Sequence, residues 1–464
     1  MGPDERWRRA APLSFWLDDD RRPEPHSAFS PSSDIDLLVV GGGATGLWAA
    51  LRALEREPGR SVLLLEASRI AEHASGRNGG FCASSITHGD ANGRARWPEE
   101  MPLLRRLGDE NLDEIEAAIE RYGIDCGAQR TGQLDVAIAE WQVEALREEA
   151  AARSAAGLEH RFIDGVELRA EFGSPQALAG LLEPEGQIML NPARLCWGLA
   201  EAIESLGGAV CEYASVRSLT RRGELVEAET NRGLLRARKV VVATSAFRAL
   251  APRARSRVVP VYDYVLVTEP IGEDRIAEIG WSSHRGVADA GNQFHYLRLT
   301  EDHRILFGGY EAAYRFHQRV SPKHEEDPRT FGLLAEHFAD TFPSLGDVAF
   351  THRWGGAIDT STRFCASAAL SHEGAVVTIN GFTGLGLGAS RFFADAGLDR
   401  LEGIESESSR TELVRTTPRP FPPEPIRFLA IELTRRAIAR ADAHQGRRGP
   451  WLRLLDRLGL GFDS

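Results

Sequence analysis

The chain has 464 residues, 42% of them hydrophobic, and a formal net charge of -12. That length calls for about two or three domains with enough apolar sequence for sizeable cores. The acidic balance argues against a nucleic-acid or anionic-membrane surface, and no stretch reaches the roughly 18 apolar residues of a membrane span.

Residues 1–33 are rich in Pro, Ser, Arg and Asp, and Ser14-Phe-Trp-Leu-Asp18 is their one apolar island. They read as an arm packed on the body through Phe15 and Trp16. The opening residues lack the apolar core of a signal peptide, so the expected location is the cytoplasm. Five scattered cysteines, odd in number and without C-x-x-C, fit buried thiols in a reducing compartment.

Asp36 to Gly46 is an apolar strand running into Gly41-x-Gly43-x-x-Gly46, and Ser61-Val-Leu-Leu-Leu-Glu66 is a second strand ending in an acid. Gly41 permits the tight turn, Gly43 lets backbone approach a pyrophosphate, and Gly46 lets the next helix lie close with its N-terminus on the phosphates. Glu66 accepts from ribose hydroxyls and repels a 2'-phosphate, which disfavours NADP. The unit predicts a bound dinucleotide. A polar, Gly-rich run, Ala74 to Gly80, follows and fits no regular element.

Apolar spacing predicts helices over 99–122 and 141–156, with an alternating strand at 131–138 between them. A helix opens after Asn191, and strands follow at 209–213 and 236–244. From Val258 to Gly309 the texture becomes an antiparallel meander, with strands at 261–268, 293–299 and 304–308. A helix over 329–342, the Trp354-Gly-Gly segment, a strand at 375–380, Gly381 to Gly388 and a helix over 389–401 complete the body. The tail has a Pro-rich linker and an amphipathic helix near 426–441.

The expected architecture is α/β, or α+β overall: a Rossmann-like cofactor domain from 34–95, 190–255 and 350–405. Inserted into it is a β-rich antiparallel substrate domain from 96–189 and 256–349, and 406–464 forms a helical tail.

Ala74-Ser-Gly-Arg-Asn-Gly-Gly-Phe81 after such a fingerprint resembles the D-amino-acid oxidase superfamily of flavoproteins, and more narrowly the branch around gamma-glutamylputrescine oxidase. The likeness continues in order through Phe15-Trp-Leu-Asp, Val261-Tyr-Asp-Tyr, Thr268-Glu-Pro, Tyr296-x-Arg-Leu-Thr, Arg304-Ile-Leu-Phe-Gly-Gly309, Arg353-Trp-Gly-Gly356 and Gly381-Phe-Thr-Gly-Leu-Gly386.

The resemblance implies FAD. It assigns the pyrophosphate to Gly41, Gly43, Ala44, Thr45 and Gly46, the ribose to Glu66, and the adenine side to Ala67, Ser68, Arg69 and Val216. Ser75, Gly76, Arg77, Asn78, Gly79 and Gly80 are assigned to the flavin and ribityl chain, and Ala243 and Thr244 to the pyrophosphate side. Gly384, Leu385, Gly386, Leu387 and Gly388 would aim backbone N–H groups and a helix start at the flavin, which favours its anionic reduced form. A second full nucleotide unit, which a pyridine-nucleotide-linked reductase needs, is missing.

The implied reaction is hydride loss from an amine carbon to flavin N5, giving an imine and then a carbonyl, with O2 as the expected final acceptor. An amine dehydrogenase or N-demethylase using another acceptor, or a non-catalytic flavin-binding protein, stays open. So does the oligomeric state. The substrate is expected to be a small-molecule amine.

Tyr262 or Tyr264, His295 or Tyr296, Trp354 and Phe382 are candidates for an aromatic pocket. Arg363 stands where amino-acid-oxidising relatives place an arginine for the substrate carboxylate. Sarcosine-oxidase-type relatives link FAD through a cysteine and carry a lysine in the late Gly-rich turn. Here Cys365 lies off the linking position and Gly388 replaces the lysine, so noncovalent FAD is expected. With Lys239 and Lys323 the only lysines, charge favouring O2 reduction falls to Arg77, His295 or His352. The histidines form no close cluster, so no metal is expected, and no G-x-S-x-G elbow occurs.

Overall fold

The computed structural model describes residues 3–27, 35–247, 250–251, 254–281, 283–317 and 320–460. It is a mixed α/β protein with two large sheets and one small one.

The first sheet is parallel at its centre. Ile35–Val40 lies between Val62–Leu65 and Gly233–Val242, with Ala209–Cys211 beyond the former and Val376–Asn380 beyond the latter. Where both faces are covered the strands are apolar, as at 37–40, Val62–Leu65 and 240–242. On one face Leu37, Val39 and Leu64 pack against helices Ala44–Arg56, Pro192–Ser205 and Gly386–Glu402. On the other, Leu38 and Val40 meet the antiparallel strands Val216–Arg222 and Leu225–Thr230. Asn191 caps Pro192–Ser205, its side chain accepting from the N–H groups of Ala193 and Arg194.

The second sheet has nine strands and is antiparallel except where Gly286–Asp289 runs beside Gln133–Ala137. Its long members are Val258–Thr268 and Phe350–Ser361, paired from Val258 with Ser361 to Thr268 with Phe350. The predicted boundary at residue 350 therefore falls one strand early. The chain returns to the first sheet only with Ser367–Ser371, after the turn at 362–366. A third sheet joins Phe81–Ala83, Gln187–Met189 and Gln129–Arg130.

The outer face of the second sheet is closed by helix Pro328–Thr341. Phe331, Leu334 and Phe338 pack there with Tyr262, Tyr264, Leu266 and Phe307. Asp327 caps this helix, accepting from Arg329 and Thr330 N–H, and Pro328 pre-sets its first turn. The inner face looks back toward the first sheet across a large cavity.

The arm begins with helix Pro3–Arg8, and Trp7 lies 5.7 Å from the ring of Phe331. Trp16 is buried and donates from Nε1 to the Asn78 carbonyl at 2.8 Å, and Phe15 stands edge-on to it. The end of the arm, 28–34, lies outside the described residues. In the tail, helices Ile426–Ala443 and Pro450–Arg457 contribute to the lining of the cavity. No helix among the described residues is long and apolar enough to cross a membrane.

Candidate active site

The strand-to-helix turn after Val40 is close-packed in the way the glycines anticipate. Gly41 has φ +117°, and a Cβ there would collide with the Ala243 carbonyl; a Cβ on Gly46 would collide with the Gly41 carbonyl. The Glu66 carboxylate closes the unit, with Oε2 accepting from Gly42 N–H at 2.7 Å and Oε1 from Ser68 N–H at 2.7 Å. Carboxylate lone pairs remain for ribose hydroxyls.

A cavity of about 1700 Å³ starts at this turn and runs between the two large sheets. The first wall includes Gly41, Gly43, Ala44, Thr45, Glu66, Ala67, Arg69, Val216, Ala243 and Thr244. Ser75, Arg77, Asn78 and Gly79 continue it, and Gly384, Leu385, Gly386 and Leu387 face them from the late turn.

Helices Ala44–Arg56 and Gly386–Glu402 both begin at this cavity. Neither N-cap residue, Gly43 or Leu385, supplies a side-chain cap. Two positive helix ends converging on one cavity suit an elongated ligand with anionic groups. The residues present therefore fit a dinucleotide such as FAD.

The remaining predicted cofactor residues sit behind the wall. Ser68 holds Glu66, Gly46 spaces helix from strand, Gly76 packs on the Ala71 carbonyl and Gly80 on the Leu190 carbonyl. Gly388 lies against the Ala83 carbonyl, so its small size serves helix packing. Asn78 shapes the loop, its Nδ2 donating to Ala74 and Ser75 carbonyls while Oδ1 accepts from Gly80 N–H at 2.8 Å.

Strand parity decides the aromatic candidates. Val261, Asp263 and Val265 face the cavity, which turns Tyr262 and Tyr264 into the outer core. Tyr264 donates from Oη to the His324 carbonyl at 2.7 Å, with Phe331 edge-on. His295 also points outward, with Asp289 Oδ2 at 2.6 Å and His337 Nδ1 at 2.9 Å. Trp354 donates to the Arg77 carbonyl and does not line the cavity. Tyr296 and Phe382 do line it.

Arg363 is misplaced by the sequence reading. It is buried beneath Trp97, donates to the carbonyls of Thr416 and Ala366, and lies outside the cavity lining. The reach of a guanidinium toward buried carbonyls won over a role at the cavity. Arg77 lines the cavity, but its guanidinium meets Glu325 at 2.6 Å and donates to the Gly355 carbonyl. His352 is held by Asp18 and Thr351.

Three cavity-lining residues were missed. Asp263 Oδ2 accepts from Tyr296 Oη at 2.6 Å, and burial pushes its carboxyl up to about 6 against the pull of that bond. Asp359 Oδ2 accepts from Gly381 N–H at 2.6 Å and so pins the late Gly-rich turn; burial pushes it up to about 7. His88 has a buried Nδ1 with no hydrogen-bond partner, and burial brings the ring down to about 4, leaving it neutral at pH 7. The available signal was an acid inside an apolar strand, as in Val-Tyr-Asp-Tyr-Val and Ala-Ile-Asp-Thr.

Residues 36–396 match the family model described as FAD dependent oxidoreductase, DAO. The chain belongs to that family. It is 30% identical to gamma-glutamylputrescine oxidoreductase of Escherichia coli over 74% of this chain and 78% of that protein. It is 27% identical to a probable oxidoreductase, OrdL, of Haemophilus influenzae, over 71% and 75% of the two chains. Among solved structures, glycine oxidase from Geobacillus kaustophilus superposes with a TM-score of 0.68 at 20% identity, covering 83% of this chain and 99% of that one. L-amino acid deaminase from Proteus vulgaris gives 0.65 at 21% identity, over 83% and 94%. These two likenesses establish the shared fold. The chain is thus an FAD-dependent oxidoreductase with the fold of that family.

Proposed function

We propose that this protein oxidises a small amine with noncovalently bound FAD. One observation carries the reading: a single cavity joins the Gly41–Glu66 unit and two helix starts, neither capped by the side chain of its own N-cap residue, to a floor made by Tyr296 and Asp263. Kinship to an enzyme named for gamma-glutamylputrescine supports an amine substrate.

With FAD bound, the chemistry it supplies is acceptance of a hydride from the carbon beside the amine nitrogen, giving an imine that hydrolyses to a carbonyl. In this reading, segments 34–95, 190–255 and 367–405 hold FAD. Backbone N–H groups of Gly43 and Thr45 meet the pyrophosphate, with the Ala44 N–H held by Ser75 Oγ, Glu66 meets the adenosine ribose, and Ala67, Arg69 and Val216 the adenine side. Ser75, Asn78, Gly79 and Leu385–Leu387 surround the flavin. The second sheet, now including Phe350–Ser361, supplies the substrate wall. Cys365 is buried outside the cavity lining, which supports noncovalent attachment.

Return of the electrons to O2 as H2O2 is the first reading of the second half-reaction. A specific observation favours another acceptor: Arg77, His295 and His352, the residues expected to assist O2, are each engaged by an acid. Anaerobic titration of the purified flavoprotein with an amine panel tests both. Bleaching by an amine followed by rapid recovery in air with H2O2 supports the oxidase. Bleaching with slow recovery supports the dehydrogenase, and no bleaching by any amine refutes amine oxidation.

A further inference from the structure

We propose that Asp263 fixes the Tyr296 hydroxyl as a hydrogen-bond acceptor facing the cavity, so that the site takes an amine whose oxidised carbon bears no carboxylate. This deepens the amine reading above and rests on it.

Tyr296 stands on His295–Leu299 and Asp263 on Val258–Thr268, with Ile305–Gly309 between them in the sheet. The phenol ring spans that middle strand by lying over Gly308, where a Cβ would come within 2.6 Å of its Cζ and Oη. Gly79 makes room on the loop side, since a Cβ there would come within 2.9 Å of the ring's Cε2. Two positions without side chains thus hold one ring in one orientation, with Oη 2.6 Å from Asp263 Oδ2.

The polarity of the bond follows from the carboxylate's other partners. Asp263 Oδ1 accepts from Tyr264 N–H at 2.8 Å, and Gly309 N–H also donates to the group. Burial raises this carboxyl only to about 6, so at pH 7 it is mainly ionised and can only accept. The phenol proton therefore points at Asp263, and the phenol lone pairs are left for an N–H in the cavity.

Among the described residues, the charged neighbours do not reverse this preference. His295, the histidine that acts on Asp263 through its charge, lies on the opposite sheet face against Asp289. Arg77 and Arg435 on the cavity wall are tied to Glu325 and Glu311. A carboxylate at this floor would meet an anion and an acceptor, whereas an ammonium or amine meets two acceptors.

The test uses flavin-loaded wild type, Asp263→Asn and Tyr296→Phe, with butylamine and propionate as probes read by perturbation of the flavin absorbance. In Asp263→Asn the amide donates to Oη and the phenol proton turns into the cavity. Propionate binding is expected to tighten by about ten-fold or more and butylamine binding to weaken comparably, the usual worth of a hydrogen bond to a charged group. Tyr296→Phe is expected to weaken butylamine without tightening propionate. A flavin-loaded Asp263→Asn protein that binds both probes as wild type does overturns the inference. If that variant fails to load flavin, unchanged butylamine affinity in Tyr296→Phe overturns it instead. Failure of every amine to reduce wild-type flavin sinks the amine reading, and the propionate comparison still judges the polarity of the floor.

Discussion

Asp359→Asn separates charge from shape at the late Gly-rich turn. Asp359 is 4% exposed, and burial raises its carboxyl from 3.8 to about 7. A carboxyl raised on folding keeps its proton longer in the native state. Its contribution is fully present below 3.8 and is lost as pH climbs toward about 7. The displacement of about three pH units, at about 1.36 kcal/mol each, is about 4 kcal/mol in full. About 3 kcal/mol of it falls between roughly pH 4.5 and pH 8. Asparagine keeps an oxygen for Gly381 N–H and cannot ionise. Urea unfolding of the flavin-free wild type and variant at those two pH values measures the difference, and any fixed cost of the amide cancels. The variant is expected to gain about 3 kcal/mol on wild type from the lower pH to the higher. A stability difference that stays constant with pH would refute the argument, because the Asp359 carboxyl would then hold its proton equally well in the folded and unfolded chain.

Other substitutions probe the framework. Gly46→Ala forces a methyl into the Gly41 carbonyl and pushes helix from strand, so purified protein is expected to lose its flavin absorbance and several degrees of Tm. Tyr264→Phe removes the bond to the His324 carbonyl and the longer one accepted from Arg315; stability should fall by about 1–2 kcal/mol in urea unfolding, with amine kinetics within about two-fold of wild type. Arg298→Met deletes a buried guanidinium that donates to the carbonyls of Leu190, Gly79 and Gly80 and lies over Trp16. The loss should be about 3 kcal/mol, read as a lower urea midpoint.

The nucleotide unit was legible because it is local. Strand, turn, helix and acid follow one another within residues 35–66, and Gly46 answers a contact inside that span, although Gly41 and Gly43 answer Ala243 and Ser75 from beyond it. The meander and most helices were legible from periodicity. Strand parity was not, because Val-Tyr-Asp-Tyr-Val alternates equally well either way. The helix Pro328–Thr341 decides it by supplying Phe331 and Phe338 as partners for the tyrosines, which leaves Asp263 to the cavity. Phe350–Ser361 was misassigned for a similar reason: its partner Val258–Thr268 lies some ninety residues away. Arg363 shows the limit of position matching, since its neighbours Trp97 and Thr416 come from distant segments.

The seat of the arm has a consequence for how the chain comes together. Ala11 bridges to His352, Arg353 N–H donates to the Ala11 carbonyl, Ser14 Oγ donates to Gly76, and Trp16 to Asn78. The arm is made long before Arg353, yet its seat is complete only after Arg353 has been made. Trp7, whose partners Phe331 and Arg353 are made late, is therefore among the last side chains to be covered. The docked arm then latches the back of the 74–80 loop, so an intact arm becomes a condition for a finished cavity.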